Sequence, residues 1–132
     1  MHAFLVELDN KPGALARITE AIAAKGVDIR GVSGSTCGSS GSLALMTDDE
    51  AQTRTILTEA GATFRDLEVT EASLRPAPGS LADVARRLAD GGVNIEALMP
   101  IGMTDDGVTI AFVTSDPAKA RSILTQAGTA AG

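Results

Sequence analysis

The chain has 132 residues, 44% of them hydrophobic and 21% charged, with a formal net charge of −6 from 11 Lys and Arg against 17 Asp and Glu. These values fit one ordinary globular domain or two small ones, and they exclude fibrous, disordered and disulfide-rich proteins. The acidic charge and the near absence of aromatic residues, three Phe with no Trp or Tyr, argue against a nucleic-acid partner, because phosphates attract cations and unpaired bases need stacking surfaces.

Cysteine and histidine are too few to suggest a metal, a cofactor or a catalytic base. Cys37 is the only cysteine and is expected in a loop, and His2 is the only histidine, close to the first residue. No Cys/His cluster has metal-ligand spacing. The first residues do not resemble a secretory signal, and no stretch approaches the roughly 20 apolar residues that span a bilayer. We therefore expect a cytoplasmic protein without cofactor, metal or membrane contact.

The first half of the chain predicts the order strand, helix, strand, strand, helix, strand. Apolar residues alternate from Ala3 to Leu8, and a helix follows with Pro12 in its first turn and Gly26 as a left-handed end. A second strand from Val27 turns back through a loose Gly/Ser run into "LALMT". The next helix opens at Asp49, and a last strand runs to Val69. The inner helix faces are predicted to be Leu15, Ile18 and Ile22, then Thr53, Ile56, Leu57 and Ala60.

The second half repeats this pattern. Shifting the sequence by 66 positions aligns Pro12 with Pro78, Gly13 with Gly79, Leu15 with Leu81, Ala16 with Ala82, Gly26 with Gly92, Val27 with Val93 and Ile29 with Ile95. A tight turn is predicted at Asp105 to Gly107 and a helix start at Asp116 and Pro117. The inner helix faces are predicted to be Leu81, Val84 and Leu88, then Ala120, Ile123, Leu124 and Ala127.

Self-similarity at this period predicts one structural unit used twice. The apolar phase shifts after Val69, which places the boundary there and gives a first repeat over residues 1–69 and a second over 70–132. Only four residues follow Gly128, so the second repeat has no room for a full fourth strand. Its sheet should then expose an edge.

These residues resemble the ACT domains, small modules that bind amino acids and regulate metabolic enzymes. The resemblance is carried by the turn "DNKPGAL", by the junctions "KGVDI" and "GGVNI", and by the predicted βαββαβ order. It implies an α+β fold of two ferredoxin-like repeats with antiparallel sheets and helices on one face. It also implies side-by-side pairing of modules, with ligands held where the first turn of one module faces the second strand of its neighbour.

The turn itself predicts a carboxylate site, because a helix start leaves backbone N–H groups unpaired and glycine admits a close ligand. We expect the N–H groups of Gly13, Ala14 and Leu15 to receive the carboxylate of a free amino acid. Its ammonium group would bind backbone carbonyls of Asp9 to Lys11 or the side chain of Asn94. The first candidate site is thus Asp9, Asn10, Lys11, Pro12, Gly13, Ala14, Leu15 and Asn94, and the second is Gly79, Ser80, Leu81 and Asp28.

Simpler interpretations stay open for each of these features. The turns would serve equally as plain helix starts, and Asp28 and Asn94 as residues that tolerate an unusual backbone at a strand start. Arg75 stands where the family has an acidic residue, and Pro76 removes a donor, which argues against ligand binding at the second site. Arg75 and the expected missing fourth strand favour an alternative function as a protein-interaction module with decayed ligand sites. An enzyme is the third alternative. The sequence argues against it, because the chain has no histidine in a suitable site and no cofactor loop.

The limited stability of a single repeat predicts that the repeats associate. A unit of some 65 residues buries only about 60% of its unfolded surface, so the two repeats should pack together. The expected open edge further predicts a homodimer. A metabolic enzyme is the expected regulatory target.

Overall fold

A computed structural model of the protein describes residues 1–126, which form an α+β fold with antiparallel strand pairs and helices between them. Six strands and four helices occur in this part of the chain. In chain order they are β1 (His2–Asp9), α1 (Ala14–Ala24), β2 (Ile29–Cys37), β3 (Ser40–Thr47), α2 (Glu50–Glu59), β4 (Phe64–Leu74), α3 (Ser80–Asp90), β5 (Ile95–Thr104), β6 (Gly107–Thr114) and α4 (Pro117–Gln126). The predicted truncation after Gly128 lies outside the described residues.

The contacts divide the chain into a first unit, His2–Leu67, and a second unit made of Met1 and the chain from Glu68 onward. In the first unit the strands follow the order β2-β3-β1-β4, with Phe4 opposite Leu45 and Val6 opposite Leu43. Alternate residues of β1 and β3 pack against α1 and α2, so both helices cover one face. The core residues are Phe4, Val6, Ile18, Ile22, Val27, Leu43, Leu45, Ile56 and Leu57.

The second unit has the strand order β4-β6-β5. Ala72 lies opposite Ile110 and Leu74 opposite Val108. Here α3 and α4 supply the helical side of the core, which consists of Ala72, Leu74, Val84, Leu88, Val93, Ile110, Phe112, Ala120 and Leu124. Ala127, predicted for the inner face of the last helix, lies outside the described residues.

The two strands predicted on either side of residue 69 are one continuous strand of 11 residues, β4. Val69 and Thr70 are both buried although they are consecutive, and Ala72 and Leu74 continue the burial at alternate positions. Successive side chains of a strand point to opposite faces. The change in apolar phase therefore coincides with a point in β4 where side chains of both faces are buried, and it does not interrupt the strand.

Both repeated helix starts differ from prediction. Gly13 and Gly79 cap α1 and α3 with left-handed φ angles of 89° and 87°, so Pro12 precedes the first helical turn and does not lie within it. Leu15 is 50% exposed and Leu81 44% exposed, and their predicted place on the inner helix faces is wrong. The first turn of each helix carries these side chains outward, and the core contact begins one turn later.

The helix ends follow the prediction. Gly26 and Gly92 adopt φ angles of 71° and 75°. The N–H of Val27 then returns to the carbonyl of Ile22, and that of Val93 to the carbonyl of Leu88. This pattern satisfies carbonyls that the helix end leaves free.

The two hairpins are both tight. The predicted Asp105 turn is confirmed, since Thr104 pairs with Gly107. The predicted loose run in the first hairpin is wrong, because Cys37 pairs with Ser40 across a two-residue turn whose Gly38 has a φ of 63°. The glycine and serine residues adopt an extended conformation here because each pairs with a residue of β3. Cys37 thus ends a strand and does not lie in a loop. None of the helices in residues 1–126 is long and apolar enough to cross a bilayer.

Candidate functional site

The Pro-Gly turn, defined as residues Asp9–Leu15, connects β1 to α1 through short internal bonds. The N–H of Lys11 donates to the carbonyl of Asp9 at 3.0 Å, and that of Ala14 to the carbonyl of Lys11 at 3.3 Å. Asn10 ties the turn to the first hairpin, because its N–H donates to Ser39 at 3.0 Å and its Nδ2 to the carbonyl of Gly38 at 2.8 Å. The side-chain amide of Asn10 therefore holds the turn against the first hairpin.

Unpaired donors remain at the start of α1. Within residues 1–126 the N–H groups of Gly13, Leu15 and Ala16 have no hydrogen-bond acceptor. Such groups, with the positive end of the helix dipole, favour an anion. The carbonyls of Asp9 and Lys11 each accept one internal bond, and each retains a second lone pair.

A first cavity of about 560 Å³ lies between the Pro-Gly turn and strands β2 and β3 of the same unit. We call it the strand cavity. Its apolar wall includes the half-exposed side chains of Leu15 and Val32, which are 50% and 49% exposed. Its lining residues are Leu8 to Lys11, Ala14, Leu15, Val32 to Thr36 and Gly41 to Leu43. The expected site uses the second strand of a neighbouring module, whereas these β2 residues belong to the same unit as the turn.

A second cavity of about 860 Å³ lies on the other side of the turn, and we call it the helix cavity. It is bounded by the turn, the start of β3 and the connection from α2 to β4, residues 60–63. Two charged residues missed by the sequence analysis, Glu7 and Arg17, line it together with Asp9 and Lys11. Arg17 lies four positions after Gly13 on a helix, a spacing that would have placed it near the turn.

Two of the charged side chains at the turn, Lys11 and Asp9, pair with each other. Lys11 Nζ lies 3.7 Å from Asp9 Oδ2, with side chains 68% and 79% exposed. A pair so open to solvent contributes little to stability. Of the described residues, no three His, Cys, Asp or Glu side chains come together as a metal site requires.

The corresponding turn of the second unit is built differently. Ser80 uses its hydroxyl within the turn, donating to the carbonyls of Arg75 at 2.9 Å and Ala77 at 3.1 Å. Pro76, at the position of Asn10, has no N–H to donate. A cavity of about 240 Å³ beside Arg75 is lined by β4 and the second hairpin, and Gly79 and Leu81 are not part of its lining.

Asp28 and Asn94 lie at the opposite ends of their helices from the glycines of the same unit. Within the first unit, the 11 residues of α1 separate Gly13 from Asp28, which corresponds to about 16 Å along the helix. Asp28 accepts a hydrogen bond from Arg30 Nε at 2.9 Å, and the N–H of Asn94 donates to Ser115 at 3.0 Å. Asp28 therefore does not lie at the Pro-Gly turn of the first unit, and Asn94 does not lie at the corresponding turn of the second.

Comparison with known proteins identifies the fold. No family model and no curated protein matches the sequence. Protein BT0572 from Bacteroides thetaiotaomicron is similar, with a TM-score of 0.85 at 21% identity over 99% of this chain and 90% of that chain. The regulatory subunit of aspartate kinase from Thermus thermophilus has a TM-score of 0.66 at 18% identity, over 96% and 91%.

The same fold also occurs inside a longer chain. Aspartate kinase from Synechocystis matches with a TM-score of 0.66 at 21% identity, over 96% of this chain and 25% of that chain. The compared structures thus include a separate regulatory subunit and part of a complete kinase. At this level of identity the likeness establishes a shared fold.

Proposed function

We propose that this protein is a regulatory module that binds a free amino acid at the Pro-Gly turn of its first unit. The observation that carries the proposal is the set of unpaired N–H groups of Gly13, Leu15 and Ala16 beside the strand cavity. A carboxylate is the ligand group that such donors favour. The fold shared with the aspartate kinase regulatory subunit of Thermus thermophilus supports a regulatory role.

In the proposed complex the carboxylate accepts hydrogen bonds from these N–H groups. The ammonium group donates to the free lone pairs of the Asp9 and Lys11 carbonyls, and Asn94 of the other repeat is a further candidate acceptor. The ligand side chain occupies the strand cavity against Leu15 and Val32. These two apolar groups are half exposed without a ligand, and covering them contributes to binding.

The second turn is the proposed second site, with Gly79, Ser80, Leu81 and Asp28. We expect it to bind more weakly, because its Ser80 hydroxyl is already bonded within the turn and because Pro76 removes the tether that Asn10 provides. In this interpretation the chain consists of two ACT-like repeats, and ligand binding biases the state of a partner metabolic enzyme. The effect must be reciprocal, because coupled binding equilibria change each other by the same factor.

Thermal unfolding of the full chain with each of the 20 common amino acids tests the proposal. A ligand at about 100 times its dissociation constant adds about 2.7 kcal/mol of stability, which raises the melting temperature by several degrees. Gly34→Val should reduce this shift by the contribution of the strand cavity. A Cβ at Gly34 would lie 3.4 Å from Leu43 Cδ1 and 3.5 Å from the carbonyl of Ser42, so the added side chain fits the strand and fills the strand cavity.

Gly102→Val is the matched control, since a Cβ there meets nothing closer than 4.0 Å and Gly102 lies on β5. This variant should keep the full ligand-induced shift. Retention of the full shift in Gly34→Val would show that the strand cavity does not bind the ligand. If no amino acid raises the melting temperature, the alternative function is favoured, a protein-interaction module with decayed ligand sites, which is also consistent with Arg75 at the second turn.

A further inference from the structure

We propose that the helix cavity is a second ligand site, for a small zwitterion whose carboxylate binds the guanidinium of Arg17. The site goes beyond the proposed function, which concerns the strand cavity on the other side of the Pro-Gly turn. The helix cavity has a volume of about 860 Å³ and belongs entirely to the first unit. Leu8, Ile18 and Ala62 give it an apolar wall.

Arg17 is positioned across this cavity with most of its donors free. Its Nη2 donates to the carbonyl of Ala60 at 3.0 Å, and Ala60 is the residue that caps the end of α2. Within residues 1–126 the guanidinium makes no ion pair. A guanidinium has five N–H donors in a planar fork that matches a carboxylate. Four of them remain for a ligand.

The charges around the cavity fit a zwitterion. Glu7 lines the same cavity, and its carboxylate has no ion-pair partner within the described part of the chain. Lys11 and Asp9 are paired with each other at 3.7 Å. One uncompensated cation and one uncompensated anion are left, which complement the carboxylate and the ammonium group of an amino acid. The carboxylate of Glu7 disfavours a multiply charged anion such as phosphate.

These two charges are not required by the helix start itself. At the positions 66 residues later, Ser73 replaces Glu7 and Asp83 replaces Arg17. Asp83 is engaged by Arg87 at 2.7 Å on the surface of α3. Because α3 begins with the same left-handed glycine as α1, the fold forms without the pair. The pair is therefore dispensable for the helix start, and both exposed charges are accessible to a ligand.

Backbone and guanidinium NMR spectra of the full chain, titrated with each of the 20 common amino acids, test this site. At least one amino acid should shift the amides of residues 60–63 and Arg17 Nε. Arg17→Gln should weaken that response at least tenfold. Arg86→Gln is the matched control on α3, because Arg86 is 74% exposed and makes only a 3.6 Å pair with Asp90. It should leave the response unchanged.

Glu7→Gln separates the ligand classes. We expect it to weaken amino-acid binding and to leave acetate, which lacks an ammonium group, bound as before. The proposal is overturned if no amino acid shifts residues 60–63, if Arg17→Gln binds normally while melting like the parent, or if acetate and inorganic phosphate bind as well as any amino acid. Shifts at Val32 to Thr36 report the strand cavity in the same spectra, and Gly34→Val should remove only those. The spectra therefore test binding in the helix cavity and in the strand cavity independently.

Discussion

Asp66 is the most heavily engaged carboxylate among the described residues. His2 Nδ1 lies 2.6 Å from its Oδ1, and Arg54 donates to its Oδ2 through Nε at 2.7 Å and also through Nη2. Partial burial alone would raise the pKa of Asp66, but hydrogen bonds from His2 and Arg54 and their positive charges outweigh it, so the pKa lies below its usual 3.8. These contacts connect the start of β1 to α2 and β4.

Removing this charge should destabilise the protein in a pH-dependent way. Asp66→Asn should lower the free energy of unfolding by about 1–2 kcal/mol near pH 7, the value of hydrogen bonds to a charged group with some exposure. Because the pKa is lowered on folding, this stability is present above the unfolded pKa and is lost as the pH falls through the folded value. Urea unfolding at pH 7 and pH 3 measures the difference.

The control for this prediction is Asp90→Asn, whose carboxylate is 69% exposed and lies 3.6 Å from Arg86. It should change the free energy of unfolding by less than about 0.5 kcal/mol at either pH. A gap between Asp66→Asn and the parent that stays constant from pH 7 to pH 3 would contradict the assignment.

Gly13 is needed first of all for its backbone. Its φ of 89° is one that residues with a side chain rarely adopt, although a Cβ there would meet nothing within 4 Å. A left-handed conformation costs such residues about 1–2 kcal/mol. A bulky substitution at Gly13 would therefore lower stability as well as obstruct a ligand, which makes Gly34 the better probe.

At the scale of elements, the N-caps are features that the sequence predicts and the structure confirms. Asp49 accepts a hydrogen bond from the N–H of Gln52 at 3.0 Å, and Asp116 from that of Lys119 at 3.0 Å. Both caps are local, since a side chain pairs with an N–H three residues later. Local rules of this kind can be applied without knowledge of the tertiary structure.

Removal of the α2 cap should cost about 1 kcal/mol. We expect this loss for Asp49→Ala because the N–H of Gln52 would lose its acceptor, and urea unfolding measures it. Glu59→Ala, at the last position of α2, removes an acid of similar exposure and should cause no loss. Equal effects of the two substitutions would argue against capping as the cause.

The features that the sequence predicts wrongly have a common cause, because each depends on contacts between residues distant in sequence. The Gly/Ser run was predicted as loose from its composition, but its pairing with β3 makes it a regular strand. Leu15 fits the helical spacing of Ile18 and Ile22, yet only tertiary packing decides where the buried stripe begins. The turn was predicted as a candidate site, whereas β2, Arg17 and Glu7 come to it through folding. Binding by the turn stays a prediction.

At the scale of the whole molecule, the sheet edges bear on assembly. Within the described strands, β2 and β5 each have a strand partner on one side only. β5 contains Pro100 and two register irregularities, features that protect an edge from further pairing. β2 contains no proline, and its Val32 is 49% exposed. The β2 edge is therefore the more suitable surface for joining two copies.

We expect the protein to sediment as a homodimer, at twice the chain mass of 13.4 kDa. Val32→Lys should shift the equilibrium toward the monomer, because a lysine on an edge strand opposes pairing. Leu98→Lys on β5, where the parent leucine is 40% exposed, is the control and should remain dimeric. A monomeric parent at micromolar concentration would contradict the expectation.

The hairpin that ends β2 has a practical consequence. Cys37 is the only cysteine of the chain and is exposed, one residue from the Gly38 carbonyl that Asn10 holds. A fluorescent maleimide would consequently label one defined position without any engineered thiol. Its emission would report whether the loop carrying Asn10 stays attached to the hairpin when small molecules are added.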